Sequence, residues 1–306
     1  MNGLSGLSGS ASGTVRARLR AVFADAGVTG VLHALDLDGG AEVGTGADTA
    51  VSTASTHKLC LAVAVQRCAD TGLIDPAEPV DVPVEGRTPG GTGLAMLRDP
   101  VRMSVRDLLA LALTVSDNAA ADVLYARVGL DGVNRAMADL GLHRTVAVHT
   151  AGDLLTAIDE DCGGDPARLL VDPALTARLR VLDPERTNRS TPRELTRLLA
   201  AVWRDEACSP ERAAELRSML AHQVWPHRLA SGFPFDDVRV AGKTGTLPTL
   251  RHEVGVVEYP DGGRYAVAVF TRAARTAANQ PAADAAIGTA ARLAVEALRS
   301  PRGRGV

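Results

Sequence analysis

Strand-type sequence lies at the two ends of this chain with helical sequence between them, and that order limits the folds open to it. Near the start, "VTGVLHALDLDGGAEVGTGAD" reads as two short strands around a DGG turn. Near the end, "DVRVAGKTGT", "HEVGVVEYP" and "RYAVAVFTR" read as three more, the last two flanking the hairpin signal PDGG. From Ser52 to about Leu199 the apolar residues recur at helical spacing, as in "HKLCLAVAVQRCADTGLI", "VRDLLALALTVSDNAAADVLYARVG" and "PRELTRLLAAVW", with G or DP stops. A helix from about Thr14, "SPERAAELRSML" and a segment from Pro281 to Leu298 complete the helices. Alternating βαβ units are absent from this order. It predicts an α+β fold in which an antiparallel sheet built from both chain termini is flanked by helices and carries an inserted all-helical lobe. The expected division is a flexible tail over 1–13, a discontinuous α/β lobe over 14–51 and 208–300, an all-helical lobe over 52–207, and a tail over 301–306.

Composition narrows the function. With 306 residues, 46% hydrophobic content and a net charge of -3, the chain can bury a large core and presents no basic stripe. The 3% aromatic content also argues against stacking surfaces for bases, so no nucleic-acid partner is expected. No run of about 18 apolar residues supports a membrane span, and no export-type segment opens the chain, which predicts a cytoplasmic protein. Cys60, Cys68, Cys162 and Cys208 lack CxxC spacing and read as free thiols, with neither a metal nor a cofactor implied.

Only two of the 33 basic residues are lysine, and both fall inside short polar motifs. Lys58 stands three residues after Ser55 in "STHK", which puts both side chains on one helical face. A serine hydroxyl needs a base to become a nucleophile, and a desolvated lysine can serve where a guanidinium cannot. His57 within the same motif is expected to point away from Ser55. Lys243 opens "KTG" on a late strand, and Ser116-Asp117-Asn118 joins two helices. Taken alone, SDN is also an ordinary helix start.

The three motifs in this order resemble those of the penicillin-recognising serine enzymes, the class A β-lactamases and related penicillin-binding proteins. The resemblance runs from about Thr14 to Leu298 and includes "MSVRDLLALALTVSDNAAADVL" and the threonine-proline stretch "NRSTPRELTRLLAAV". It implies Ser55 as the acylated nucleophile, Lys58 as its proton acceptor, and Ser116 as the relay to the leaving group. Asn118 would hold the substrate amide and Asp117 would brace its loop. Lys243 and Thr244 would meet a substrate carboxylate beside Gly245, and the backbone N–H groups of Ser55 and Thr246 would form an oxyanion hole. Arg251 resembles the family's carboxylate-binding arginine, one residue short in spacing; the alternative is a solvated arginine at a strand end. The implied partner is a small molecule carrying an acyl group and a carboxylate.

One family feature is missing. Class A enzymes hydrolyse the acyl-enzyme with a glutamate in an ExxxN pattern well upstream of the threonine-proline, and "ARLLVDPALTARLRVLDPERTNRSTP" offers no glutamate at that distance from Pro192. Glu185, three residues before Asn188, is the nearest substitute, but it sits too close to Thr191-Pro192 and reads as part of a DPER turn or helix cap. The expected activity is therefore a serine hydrolase of amides, esters or lactams that is weak as a β-lactamase. The alternatives are an acyltransferase using the same intermediate, and a sensor that holds its ligand without turnover.

Overall fold

The computed structural model describes residues 9–300, with side chains from residue 13 onward. Helix α1 (Gly9–Asp25) leads into β1 (Val28–Asp36) and β2 (Glu42–Thr45). The region around Ser55 follows as β3 (Val51–Ser52), a 3-10 turn (Ala54–His57) and α2 (Lys58–Asp70). The insert continues with β4 (Pro79–Val82), β5 (Val101–Ser104), α3 (Val105–Thr114), α4 (Asn118–Val128), α5 (Leu130–Asp139) and α6 (Ala151–Cys162). It then runs through α7 (Pro173–Ala177), β6 (Arg189–Ser190) and α8 (Pro192–Trp203). Helix α9 (Pro210–Ala221), strands β7 (Arg239–Leu247), β8 (Leu250–Glu258) and β9 (Arg264–Ala273), and α10 (Pro281–Arg299) close the chain.

The main sheet has five strands in the order β2-β1-β9-β8-β7, every neighbour antiparallel. Val28 pairs with Ala273 and Asp36 with Tyr265, so the two ends of the chain meet in the middle of the sheet, as the sequence order predicts. Strands β8 and β9 are buried almost end to end, which shows that both sheet faces are covered. Their period-2 alternation sorts side chains between two cores. Ala266, Ala268 and Phe270 join the core shared with the helical lobe. Tyr265, Val267 and Val269 join the second core, together with Leu19, Phe23, Ile287 and Val295 from the terminal helices α1 and α10.

Helix α2 is the centre of the other lobe. Leu59 through Val65 are all buried, so this helix is apolar on every side and is packed by its neighbours all round. Side-chain caps start the helices around it: Ser104 accepts from the Asp107 N–H, Asp117 from the Ala120 N–H, and Thr191 from the Glu194 N–H with Pro192 at the first position of α8.

Three boundaries differ from expectation. Helix α1 begins at Gly9 rather than Thr14, while residues 1–8 and 301–306 of the two expected tails lie outside the described residues. The inserted lobe is not purely helical, because it holds the β4–β5 hairpin and the short β3–β6 pair. The strands of the hairpin have only four residues each and flank a Gly/Pro-rich loop whose composition hides them. Helix α6 is also additional; its signals are the capping box of Thr150 with Asp153 and the apolar run Leu154, Leu155, Ile158.

Candidate active site

Ser55 sits on the 3-10 turn rather than inside a regular helix, and the turn is held from several sides. The preceding Ala54 has φ of 48°, a left-handed conformation that costs a non-glycine residue on the order of 1–3 kcal/mol and persists only when its surroundings enforce it. Here Thr53 donates through both its N–H and its Oγ1 to the Asn188 carbonyl, and Ser52 donates through Oγ to the Val181 carbonyl at 2.7 Å. On the other side stands Gly245, where any Cβ would come within 2.9 Å of the Thr53 carbonyl and 3.2 Å of the Ala54 Cβ. The glycine of the KTG motif thus lets the edge strand β7 lie directly against the turn that carries Ser55.

Lys58 is 4% exposed, and its ammonium reaches across to the SDN motif. Its Nζ donates to the Ser116 carbonyl at 2.6 Å and to Asn118 Oδ1 at 2.7 Å, and lies 3.4 Å from Ser116 Oγ. Burial lowers its pKa to about 7, against the opposing pull of Asp117 and Asp122. Ser116 also has a positive φ, 59°, which turns its carbonyl and hydroxyl toward the lysine. Asp117 is completely buried; one oxygen caps α4 and the other accepts from the Leu94 N–H at 2.7 Å, tying the Gly/Pro loop to the site. Gly93, at φ 61°, leaves room for that carboxylate.

A cavity of about 400 Å³ opens in front of these groups. Ser55, Ser116, Asn118, Thr244, Thr246 and Arg251 all line it, and Gly90, Gly91 and Thr92 of the Gly/Pro loop form its rim. Lys243 lies beneath it, fully buried, with its Nζ donating to the Thr244 carbonyl at 2.9 Å. Burial and the nearby Lys58 push the Lys243 pKa well below its ordinary value. Arg251 is 5% exposed, so the solvated reading is overturned. Its guanidinium donates to the Leu250, Ala277 and Ala278 carbonyls, bridging the β7–β8 turn to the segment before α10.

Arg228 was not signalled by any motif. It follows α9 in "WPHRLASG", where neither periodicity nor spacing marks it. It donates to the Gly245 and His252 carbonyls at 3.0 Å each, to Thr246 Oγ1 at 2.9 Å and to Asp284 Oδ1 at 2.6 Å, and with Trp225 and His227 it lines the same cavity.

Behind Ser55 lies a smaller recess of about 80 Å³ that also touches Lys58 and Asn118. Its far wall is Ala151, Leu154 and Leu155 of α6, with Asn188 and Tyr125 at the sides, and no carboxylate lines it. The Asn188 amide is occupied in holding the Val148 and His149 backbone. Glu185 is exposed and sits outside both cavities, in the turn that its DPER sequence suggests. His57, expected to point away from Ser55, is buried at the edge of the recess with both ring nitrogens unpartnered, and burial lowers its pKa to about 4. Among the described residues no cluster of three His, Cys, Asp or Glu could hold a metal ion, and no helix is long and apolar enough to cross a membrane.

The chain is similar to known proteins along nearly its whole length. The β-lactamase regulatory protein BlaB of Streptomyces cacaoi is 36% identical over 300 residues, covering 92% of this chain and 96% of its own. A β-lactamase from Sphaerobacter thermophilus is 28% identical, with a TM-score of 0.76 over 94% of this chain and 98% of its own. PBP-A, a point mutant of which is solved as an acyl-enzyme with penicillin G, superimposes with a TM-score of 0.76 at 21% identity, over 95% of this chain and 96% of its own. Residues 14–298 match the Beta-lactamase enzyme family, and the chain belongs to that family of serine hydrolases.

Proposed function

We propose that this protein takes a small carboxylate-bearing amide, ester or β-lactam into the 400 Å³ cavity, transfers its acyl group to Ser55, and releases that group slowly. The observation that carries the proposal is the Lys58 amine, with its pKa lowered to about 7 and aimed at Ser116 and Asn118 one turn from Ser55. Lys58 takes the Ser55 proton as Oγ attacks the substrate carbonyl carbon. The backbone N–H groups of Ser55 and Thr246 receive the developing oxyanion. Ser116 passes a proton to the leaving nitrogen or oxygen as its bond to the acyl carbon breaks. Thr244, Arg251 and Arg228, with Lys243 below, supply the positive, hydrogen-bonding end that a substrate carboxylate needs.

Release is slow because the recess from which water would approach Ser55 is walled by Leu154 and Leu155, with no carboxylate to take the water's proton. A long-lived acyl-enzyme suits a receptor as well as a catalyst. The regulatory reading, in which acyl-Ser55 is the signal, is favoured by the relationship to BlaB. Transfer to an amine or alcohol is the remaining outlet for the same intermediate.

Intact-mass measurement after exposure to a penicillin and to a fluorogenic ester tests the reading. The wild-type chain gains one acyl adduct that outlasts removal of free ligand, and Ser55→Ala gains none. A wild type that stays unmodified with both reagents refutes it. Product partitioning in the presence of added amine separates hydrolysis from transfer.

A further inference from the structure

The structure points to Glu253 as a positioning residue for the carboxylate-binding end of the site: we infer that it latches the segment 223–229 onto β7. Glu253 faces Thr244 across the β7–β8 pair and is 1% exposed. A carboxylate is almost never buried this deeply without a defined set of partners. One oxygen accepts from Gln223 Nε2 at 2.7 Å and the other from the Leu229 N–H at 2.7 Å.

Those two bonds close a circuit around the site. The Gln223 Oε1 accepts from the Thr244 N–H at 2.7 Å, which satisfies a donor that the edge position of β7 leaves without a strand partner. Between the two anchors run Trp225, His227 and Arg228, all lining the cavity. Gly242 takes part as well, since any Cβ there would lie 2.9 Å from Glu253 Oε1. Removing the carboxylate therefore frees both ends of the loop that carries Arg228 and uncaps Thr244 at once.

The strand register puts Lys243 with Val254 on the opposite sheet face from Glu253, so Glu253 reaches the site through its hydrogen bonds. Burial raises the Glu253 pKa to about 7, countered by its bond from the Leu229 N–H and by Arg228, Gln223 and Lys243.

The inference deepens the acyl-serine reading above, but its test needs no acyl ligand and so fails or succeeds separately. Glu253→Gln is expected to speed hydrogen exchange at the Thr244 and Leu229 amides at least tenfold while amides in the middle of β9 keep their rates. Gln223→Ala, which keeps the carboxylate and cuts one arm of the bridge, is expected to speed Thr244 exchange while leaving Leu229 exchange in place. A loss of thermal stability without those changes would mark Glu253 as structural only and overturn the inference. Should Glu253→Gln fail to fold, unchanged Thr244 exchange in Gln223→Ala overturns it alone.

Discussion

Lys58 shows at the scale of one residue why this chain reserves lysine for two places. A guanidinium keeps its proton at any working pH, so Lys58→Arg retains the charge and discards the base. Acylation of Ser55 in that variant should fall by about 10²–10⁴, measured by stopped-flow or mass spectrometry. The sign of the pH dependence follows from the lowered pKa of about 7: the amine is neutral above that value and protonated below it. The acylation rate should climb about tenfold per pH unit on the acid side and level off above neutrality. A flat profile would assign the proton to another group. The clustering of Ser55, Lys58, Ser116, Asn118 and Thr244 was the most legible feature of the sequence, because SxxK, SDN and KTG each place polar side chains within a few residues of a backbone that holds them. Arg228 and Glu253 were not legible, since each acts through partners distant in sequence: Asp284 and the Gly245 and His252 carbonyls for one, Gln223 and Leu229 for the other.

Elements meet at the site through very short distances, and two of those meetings make predictions. Strand β7 lies against the turn that carries Ser55 only because residue 245 has no side chain. Gly245→Val should push the turn away, lower stability by roughly 1–3 kcal/mol in urea titration, and slow acylation far more than a mutation of equal cost elsewhere. Helix α6 supplies the apolar wall behind Ser55. Placing a base there with Leu155→Glu should shorten the life of acyl-Ser55 at least tenfold while Leu155→Gln does not, read from the decay of the mass adduct. The strand-helix-strand order and the PDGG hairpin between β8 and β9 were readable because turn chemistry and short apolar runs bounded by turn signals are local properties. The wall was not readable, because the placement of α6 depends on Asp122 binding the Ala151 and Gly152 N–H groups from a different helix.

The whole molecule is closed by its ends. Residues 28–36 pair with 265–273, so the sheet that presents Lys243 cannot form before nearly all of the chain exists. Helix α10 then covers the face formed by Val257, Val267 and Val269 with Ala283, Ile287 and Val295. A chain ending at residue 273 should lose cooperative unfolding, followed by near-ultraviolet circular dichroism in urea, even though every motif residue is still present. The pairing of the two termini was foreseeable from sequence order; the coverage of both sheet faces was not, because continuous apolar strands look alike whichever layer lies on each side.

Burial of both lysines has a consequence for how the folded chain meets other enzymes. A protease that cuts only after lysine finds two scissile bonds in these 306 residues, one in the heart of the helical lobe and one on a sheet strand, and neither is presented by the native state. Enzymes that acetylate or tag lysine side chains meet the same closed surface, so the arginine-coated fold is exposed to them only when it opens.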